Sequence, residues 1–491
     1  MADITEPTAP RAEAERLAPG PPAGSVTAPV GAAVATPQAA RTPRIGGRDL
    51  TEGSIPHSLW SLAWPQVIES VLNVVDQLAD LFWAGRINTR SVAGLGVAQT
   101  YVQVGMTGRM GLDTAMRAMV ARAVGAGDIA RANHVALQGF TLSGAFSIVM
   151  ALIGVFFTEP LLMMLGVPDN VIEAGADYMR VQFIGMGAMA FRMMSGAALQ
   201  ASGDTFTPMK ATTVTRIIHI SLSPFLIFGW WSFPEMGLVG AAVAGITAQA
   251  VGAVMNFRAL FRGTSRLHLS LNGYRPDPTV LWHLLKTGAP ASVTGAERSI
   301  AQLLLVGFVS PYGSTTLAAF ALTRRIEMVA MMGAMGLGQS AGVMVGQNLG
   351  AGKPDRAKKS VLWALLFVLG INVVVSSLML AFPRAFLSIF NGDAALLDEA
   401  VQWLRIQVLG YFVMGVGMVY AQSYNTAGDT LVPMVVTLVS IWGVQQPLAV
   451  LLPRAGLNEF GIAWAVVIGL AVRLCIYAPY FFYGRWMRIR L

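Results

Sequence analysis

Long apolar stretches, each broken by a short cluster of glycine, proline or charge, follow one another from about residue 58 to residue 483. A helix needs about 20 apolar residues to cross the hydrocarbon of a bilayer. Twelve stretches satisfy that length: 58–83, 92–120, 133–157, 170–200, 207–229, 237–258, 281–309, 316–346, 357–382, 396–424, 431–452 and 458–483. Glycine and proline punctuate the joints, as at Gly166-Val167-Pro168 and Pro311-Tyr312-Gly313. The pattern predicts an all-α membrane protein of twelve transmembrane helices. Residues 1–53 break it. They are rich in Ala, Pro, Thr and Gly and read as a disordered cytoplasmic tail. The start, Met1-Ala2-Asp3-Ile4-Thr5-Glu6, lacks the basic flank and apolar core of a signal peptide.

Composition sharpens this. Of 491 residues, 54% are apolar and 12% charged, about half the charged share of a soluble protein. The net charge is +8. It points to no nucleic acid, because the basic residues gather in particular joints. Arg122, Arg131, Lys210, Arg258, Arg262, Arg266, Arg275, Lys353, Arg356, Lys358 and Lys359 lie on one face. Arg41, Arg44 and Arg48 before the first span join them, as do Arg485, Arg488 and Arg490 after the last. The other face has Arg86, Arg90, Arg384 and Arg454. The positive-inside rule therefore predicts cytoplasmic termini and an inner or plasma membrane location. One cysteine, Cys475, excludes a disulfide framework, and nothing clusters as Cys/His metal ligands. No P-loop is present, so ATP bound to this chain is not the expected driving force. The chain is expected to be no enzyme, to need no cofactor and to work as a monomer in the lipid bilayer.

The spans repeat. Gly125-Ala126-Gly127 recurs as Gly350-Ala351-Gly352, and at the same offset of 225 Pro65 recurs as Pro290. Gly203-Asp204-Thr205 with Pro208-Met209 recurs as Gly428-Asp429-Thr430 with Pro433-Met434. Met110-Gly111-Leu112 matches Met335-Gly336-Leu337, and Arg180 and Gln182 match Arg405 and Gln407. Each copy has an even number of spans, so both enter the membrane in the same direction. Two pseudo-symmetric six-helix bundles related by an axis along the membrane normal follow, with a site between them. The expected organisation is a tail over 1–53, an N-lobe over 54–262, a cytoplasmic linker over 263–280, a C-lobe over 281–485 and a basic tail over 486–491.

Together, these motifs resemble the multidrug and toxic compound extrusion (MATE) family over about residues 55–485. The matching residues are Gly125-Ala126-Gly127-Asp128 after Val120-Ala121-Arg122, and Gly350-Ala351-Gly352 after Val345-Gly346-Gln347-Asn348. Both Gly-Asp-Thr turns and Arg325-Ile326-Glu327 belong to the match. The resemblance implies a MATE-like fold, an outward-open V shape, and export of small molecules driven by inward proton or sodium movement. Read by themselves, the motifs are structural. The glycines suit left-handed helix ends, and Asp128 and either Asp204 or Thr205 suit helix N-caps.

The candidate chemistry lies within the spans. Glu69, Asn73, Asp76 and Asp80 form one polar stripe on span 1, flanked by Gln77. Charge in hydrocarbon must face the protein interior or a water-filled cavity. Such carboxylates can take up a proton, or offer oxygens to Na⁺, so these five residues are the candidate ion-coupling set. The resemblance places Asp80 on the family's helix-1 Asp, with Gln77 where the family has Asn. Arg109, Asp113 and Arg117 stack at i, i+4 and i+8 on span 2. They are either a self-compensating triad or a cationic wall of a substrate cavity. Gln182, Arg192, Glu297, Arg298 and Tyr411 complete that candidate cavity. The resemblance puts Arg298, rather than Glu297, on the Glu of the sodium-coupled branch, so H⁺ through the N-lobe is expected ahead of Na⁺. Arg216 and His219 on span 5 read as side chains snorkelling toward the cytoplasmic surface. The expected function is an antiporter exporting small amphiphilic compounds. The rivals are a lipid-linked sugar flippase and a receptor or scaffold that does not transport.

Overall fold

The computed structural model describes residues 49–87, 89–163, 169–390 and 393–489. Those residues are helical apart from turns and connecting loops. The first half runs α1 (Ile55–Ile87), α2 (Thr89–Gly125), α3 (Ile129–Phe156), the short α4 (Thr158–Met163), α5 (Asp169–Ala201), α6 (Phe206–Phe228) and α7 (Gly237–Arg262). The second runs α8 (Pro278–Val309), α9 (Ser314–Gly350), α10 (Pro354–Ala381), the short α11 (Pro383–Ser388) and α12 (Ala394–Ala427). It continues with α13 (Leu431–Leu438), α14 (Gln446–Leu452) and α15 (Phe460–Tyr483). A π-helical stretch, Val439–Gln445, joins α13 and α14 into one span.

Among the described residues, eight spans are apolar enough to cross a bilayer on length and hydropathy alone. The other four long helices are α1, α2, α5 and α8, and each carries charged side chains in its middle. Most of the candidate chemistry therefore lies on the helices that look least like membrane spans. The expected disordered tail falls on residues 1–48, outside the described residues, and on Asp49–Gly53. Leu50 of that last piece is fully buried, and its carbonyl accepts from Asn348. At the other end, Trp486 is fully buried and donates to the Phe481 carbonyl.

The repeat is visible in packing as well as in sequence. A Cβ on Gly111 would strike Gly288 and Ser292, and a Cβ on Gly336 would strike Ala63 and Val67. Shifting one pair of partners by the repeat offset gives the other. The same holds for Gly125 against Gln347 and Gly350 against Arg122. Small residues let the two lobes' backbones touch where a larger side chain would hold them apart. The short α4 and α11 obey the same offset, beginning at Thr158 and Pro383.

The first turns of α1 and α8 cross between the lobes. Leu59, Leu62 and Ala63 belong to the core built by α9, α10, α12 and α15, while Leu284 belongs to the core of α2, α3, α5 and α7. Pro65 and Pro290 follow directly inside their helices, where each removes one rung of the hydrogen-bond ladder. Beyond Pro65, α1 turns to α6 of its own lobe.

At the end of the bundle that carries the basic loops, the lobes are bonded. Arg122 donates to the last carbonyl of α12, Ala427, at 3.0 Å, and to Ile489 at 2.6 Å. Gln347, its repeat partner, donates to the last carbonyl of α5, Ala201, at 2.8 Å. The turns that present these groups use glycine with positive φ: Gly127 and Gly352 at 78° and 68°, Gly203 and Gly428 at 96° and 92°. Asp128 caps α3 from its side chain. At α6 the capping carboxylate is Asp204, which accepts from the Phe206 and Thr207 amides.

Candidate functional site

From Asn73 onward the polar stripe of α1 faces α6, and the two helices meet through a cluster of five side chains. Asp76 is 7% exposed. Its Oδ2 is paired with the Arg216 guanidinium and its Oδ1 lies 2.7 Å from His219 Nδ1. The second guanidinium nitrogen of Arg216 donates to Asn73 Oδ1 at 2.7 Å. The far ring nitrogen of His219 lies 3.4 Å from Asp80 Oδ1. One imidazole thus bridges two carboxylates a turn apart. Ligand atoms of Asp76, Asp80 and His219 lie within 4.8 Å of one another, so a cation could in principle be held among them.

This corrects the expectation for Arg216 and His219. They do not snorkel. His219 lies 13 residues into α6, roughly 20 Å along the helix axis, too deep for the surface to compete with two carboxylates. An unpaired charge at that depth costs several kcal/mol, about what the pairing recovers. One signal was available in the sequence. Thr212, Thr215, Arg216, His219 and Ser223 recur at helical spacing and are all buried.

Toward the basic end, Gln200 of α5 donates to Glu69 Oε2 at 3.0 Å, while Oε1 is buried without a partner among the described residues. Arg117 and Arg192 both lie within electrostatic reach of Glu69. On α2, fully buried Arg109 holds both oxygens of Asp113, at 2.8 and 2.9 Å from one nitrogen. Arg117 leaves that stack and donates across the lobe seam to Gln339 at 2.7 Å. The span-2 charges therefore form a pair and a bridge rather than a closed triad. Arg192 is bound by Gln249 and donates to Thr212 at 3.1 Å. Gln182 donates to the Tyr178 hydroxyl at 2.9 Å. Gln77 is exposed and lies off the stripe.

The C-lobe residues do not assemble in this way. Glu297 is 8% exposed, and neither of its oxygens has a hydrogen-bond partner among the described residues. Arg298 is exposed. Tyr411 is packed among the helices, its hydroxyl 3.3 Å from Gln407 Oε1 and 3.5 Å from the Thr323 carbonyl. That contact seats Tyr411 in the C-lobe core.

The MatE family model matches the chain twice, over residues 65–225 and 290–451. The chain belongs to the MatE family. The two MatE matches start at the repeated prolines, Pro65 and Pro290, and the second is one residue longer. The π-helical turn at Val439–Gln445 lies inside it and can absorb one extra residue. A relative from Bacillus subtilis (strain 168), described as a probable multidrug resistance protein, YoeA, is 27% identical over 434 residues. The match covers 85% of this chain and 91% of that protein. A protein of Shewanella oneidensis described as an FAD transporter is 24% identical, the match covering 82% of this chain and 89% of that one. Among solved structures, a MOP superfamily transporter from Pyrococcus furiosus superposes with a TM-score of 0.82 at 21% identity, covering 89% and 96% of the two chains. That likeness shows the fold: twelve transmembrane helices in two bundles. This MatE chain is accordingly a membrane protein of a transporter family. The first match contains Asn73, Asp76, Asp80, Arg216 and His219, the residues of the α1–α6 cluster.

Proposed function

We propose that this chain is a secondary active exporter of small amphiphilic or drug-like compounds, exchanged for H⁺ or Na⁺ by alternating access. The observation that carries the reading is the bridge from Asp76 and Asp80 on α1 to His219 and Arg216 on α6. The two carboxylates are held out of lipid in a group that a single cation can rearrange. A proton or sodium ion arriving on either carboxylate competes with Arg216 and His219 for its charge. That loosens α1 from α6. Because the first turns of α1 sit in the core of the other lobe, a change in its hold on α6 reaches the seam directly. A ligand can shift such a balance only by binding one state more tightly than the other. The ion would favour one state and the substrate the other.

The basic end is read as cytoplasmic. The bonds of Arg122 and Gln347 would then close the cytoplasmic side, with both termini cytoplasmic and the inner or plasma membrane as the location. Substrate identity draws on the relatives: the Bacillus protein is named for multidrug resistance and the Shewanella protein for FAD. The chain is taken to act as a monomer without a cofactor.

The test is efflux of several dye classes from proteoliposomes under separately imposed proton and sodium gradients. D76N is expected to insert and fold but to lose gradient-driven efflux. Ion flux that never depends on any substrate, in the intact protein, would refute the antiporter and favour a receptor or scaffold.

A further inference from the structure

In the α1–α6 cluster both oxygens of Asp76 are engaged, Oδ2 by Arg216 and Oδ1 by His219. The amide oxygen of Asn73 serves the same guanidinium. Asp80 turns one oxygen toward His219. A hard cation such as sodium is held by several oxygens at once. At this level α1 supplies them from Asn73, Asp76 and Asp80, and two of these three already serve a positive charge that belongs to the protein. Arginine stays charged under all working conditions, so a second cation entering the same seat meets repulsion as well as a shortage of ligands. The seat is enclosed: Asp76, Arg216 and His219 are all buried. The neighbouring helix α5 brings further charge of the same sign, since Arg192 lies within electrostatic reach of Asp76 and Arg216. Tyr178, also on α5, lies within reach of Asp80.

We propose that Arg216 is a tethered cation, filling the seat that sodium would take among Asn73, Asp76 and Asp80, and that it sets the ion selectivity of this site against sodium. The proposal rests on the reading of the α1 carboxylates as the coupling site and narrows the ion that can act there. The planar fork of arginine is what lets one side chain reach a carboxylate and an amide together.

Thermal unfolding of the purified full chain in detergent tests it, comparing sodium chloride with choline chloride at equal ionic strength. The unaltered protein is expected to melt at the same temperature in both salts. R216Q is expected to gain a sodium-specific rise of roughly 2 °C or more, as a newly bound ligand should give. The rise should disappear when D76N is added to R216Q. R216S is the second variant, should the glutamine disturb packing, and either variant that melts cooperatively decides. A sodium-specific rise in the unaltered protein that D76N removes would overturn the proposal. So would a cooperative melt of R216Q or R216S with no response to sodium. This readout needs no transport. If proteoliposomes show no export under any gradient, the antiporter reading falls while the melting test still decides the role of Arg216.

Discussion

In the N-lobe, Asp76 is held by Arg216 and His219; at the equivalent position of the repeat, the C-lobe has Ala301. Asp80 is answered by Leu305, Arg109 by Ala334, Asp113 by Gly338, Arg117 by Gly342 and Arg192 by Gly417. In the other direction Glu297 is answered by Leu72. Every one of these charges is private to one lobe. The residues that let helices touch are shared: Gly111 with Gly336, Gly125 with Gly350, Pro65 with Pro290. The backbone contacts of the duplicated fold were kept in both copies, while these charges within the spans stand in one copy only. That asymmetry is what the proposed coupling site in the N-lobe would require, because only one lobe would need to respond to an ion.

The comparison can be broken in several places. Asp76→Ala leaves the buried Arg216 without its paired carboxylate and His219 with Asp80 alone, and about 3–5 kcal/mol of stability should be lost. Glu297→Ala removes a buried carboxylate with no hydrogen-bond partner among the described residues and only the Arg473 charge within electrostatic reach, so its loss should be clearly smaller. Denaturant unfolding in detergent measures both, and equal losses would show that the lobes do not differ.

Gly111→Val and Gly336→Val should each cost about 1–3 kcal/mol by overpacking the seam. Gly111→Val should cost the more, because a Cβ there would run into the Gly288 carbonyl oxygen, whereas at Gly336 the nearest atom is a Val67 methyl at 2.8 Å. A large effect at one and none at the other would deny the two-fold relation.

Arg122→Ala should weaken the seam more than Gln347→Ala. Hydrogen bonds to a charged group are worth about 1.5–3 kcal/mol, against about 0.5–1.5 kcal/mol for neutral ones. Maleimide labelling of Ser202→Cys from the basic side, with Cys475 replaced by Ala, should rise in both variants and more in the first.

The smallest effect belongs to Asp277, which caps α8 and faces His134 of α3. Desolvation pushes its carboxyl up. The hydrogen bonds from His134 and from the Val280 and Thr279 amides outweigh that and hold it below its ordinary value of 3.8. A carboxylate lowered in this way stabilises the fold at pH values above 3.8, and the contribution is lost as pH falls through its lower folded value. D277N should therefore flatten the fall in melting temperature between about pH 5 and about pH 3. An unchanged slope would remove Asp277 from the account.

Much of this was legible in the chain. The spans and the repeat could be read because hydrophobic length and glycine spacing are local signals. The α1 carboxylates could be read because residues 3 and 4 apart share a helix face. Their partners could not. Arg216 lies 140 positions from Asp76, and nothing local says which face of α6 meets α1. Its charge also suggested a surface residue, which was wrong about depth. The short α4 and α11 and the π-helical turn were missed for a different reason, since six or seven residues carry too little periodicity to stand out. Arg117 read as part of a stack on its own helix, and only the packing of α2 against α9 reveals Gln339.

The most direct test of the central claim is gradient-driven efflux from proteoliposomes by D80N and by E297Q, prepared side by side. The N-lobe account predicts that D80N loses export while E297Q keeps it at close to the unaltered rate. Export retained by D80N and lost by E297Q would place the coupling in the C-lobe and contradict the account.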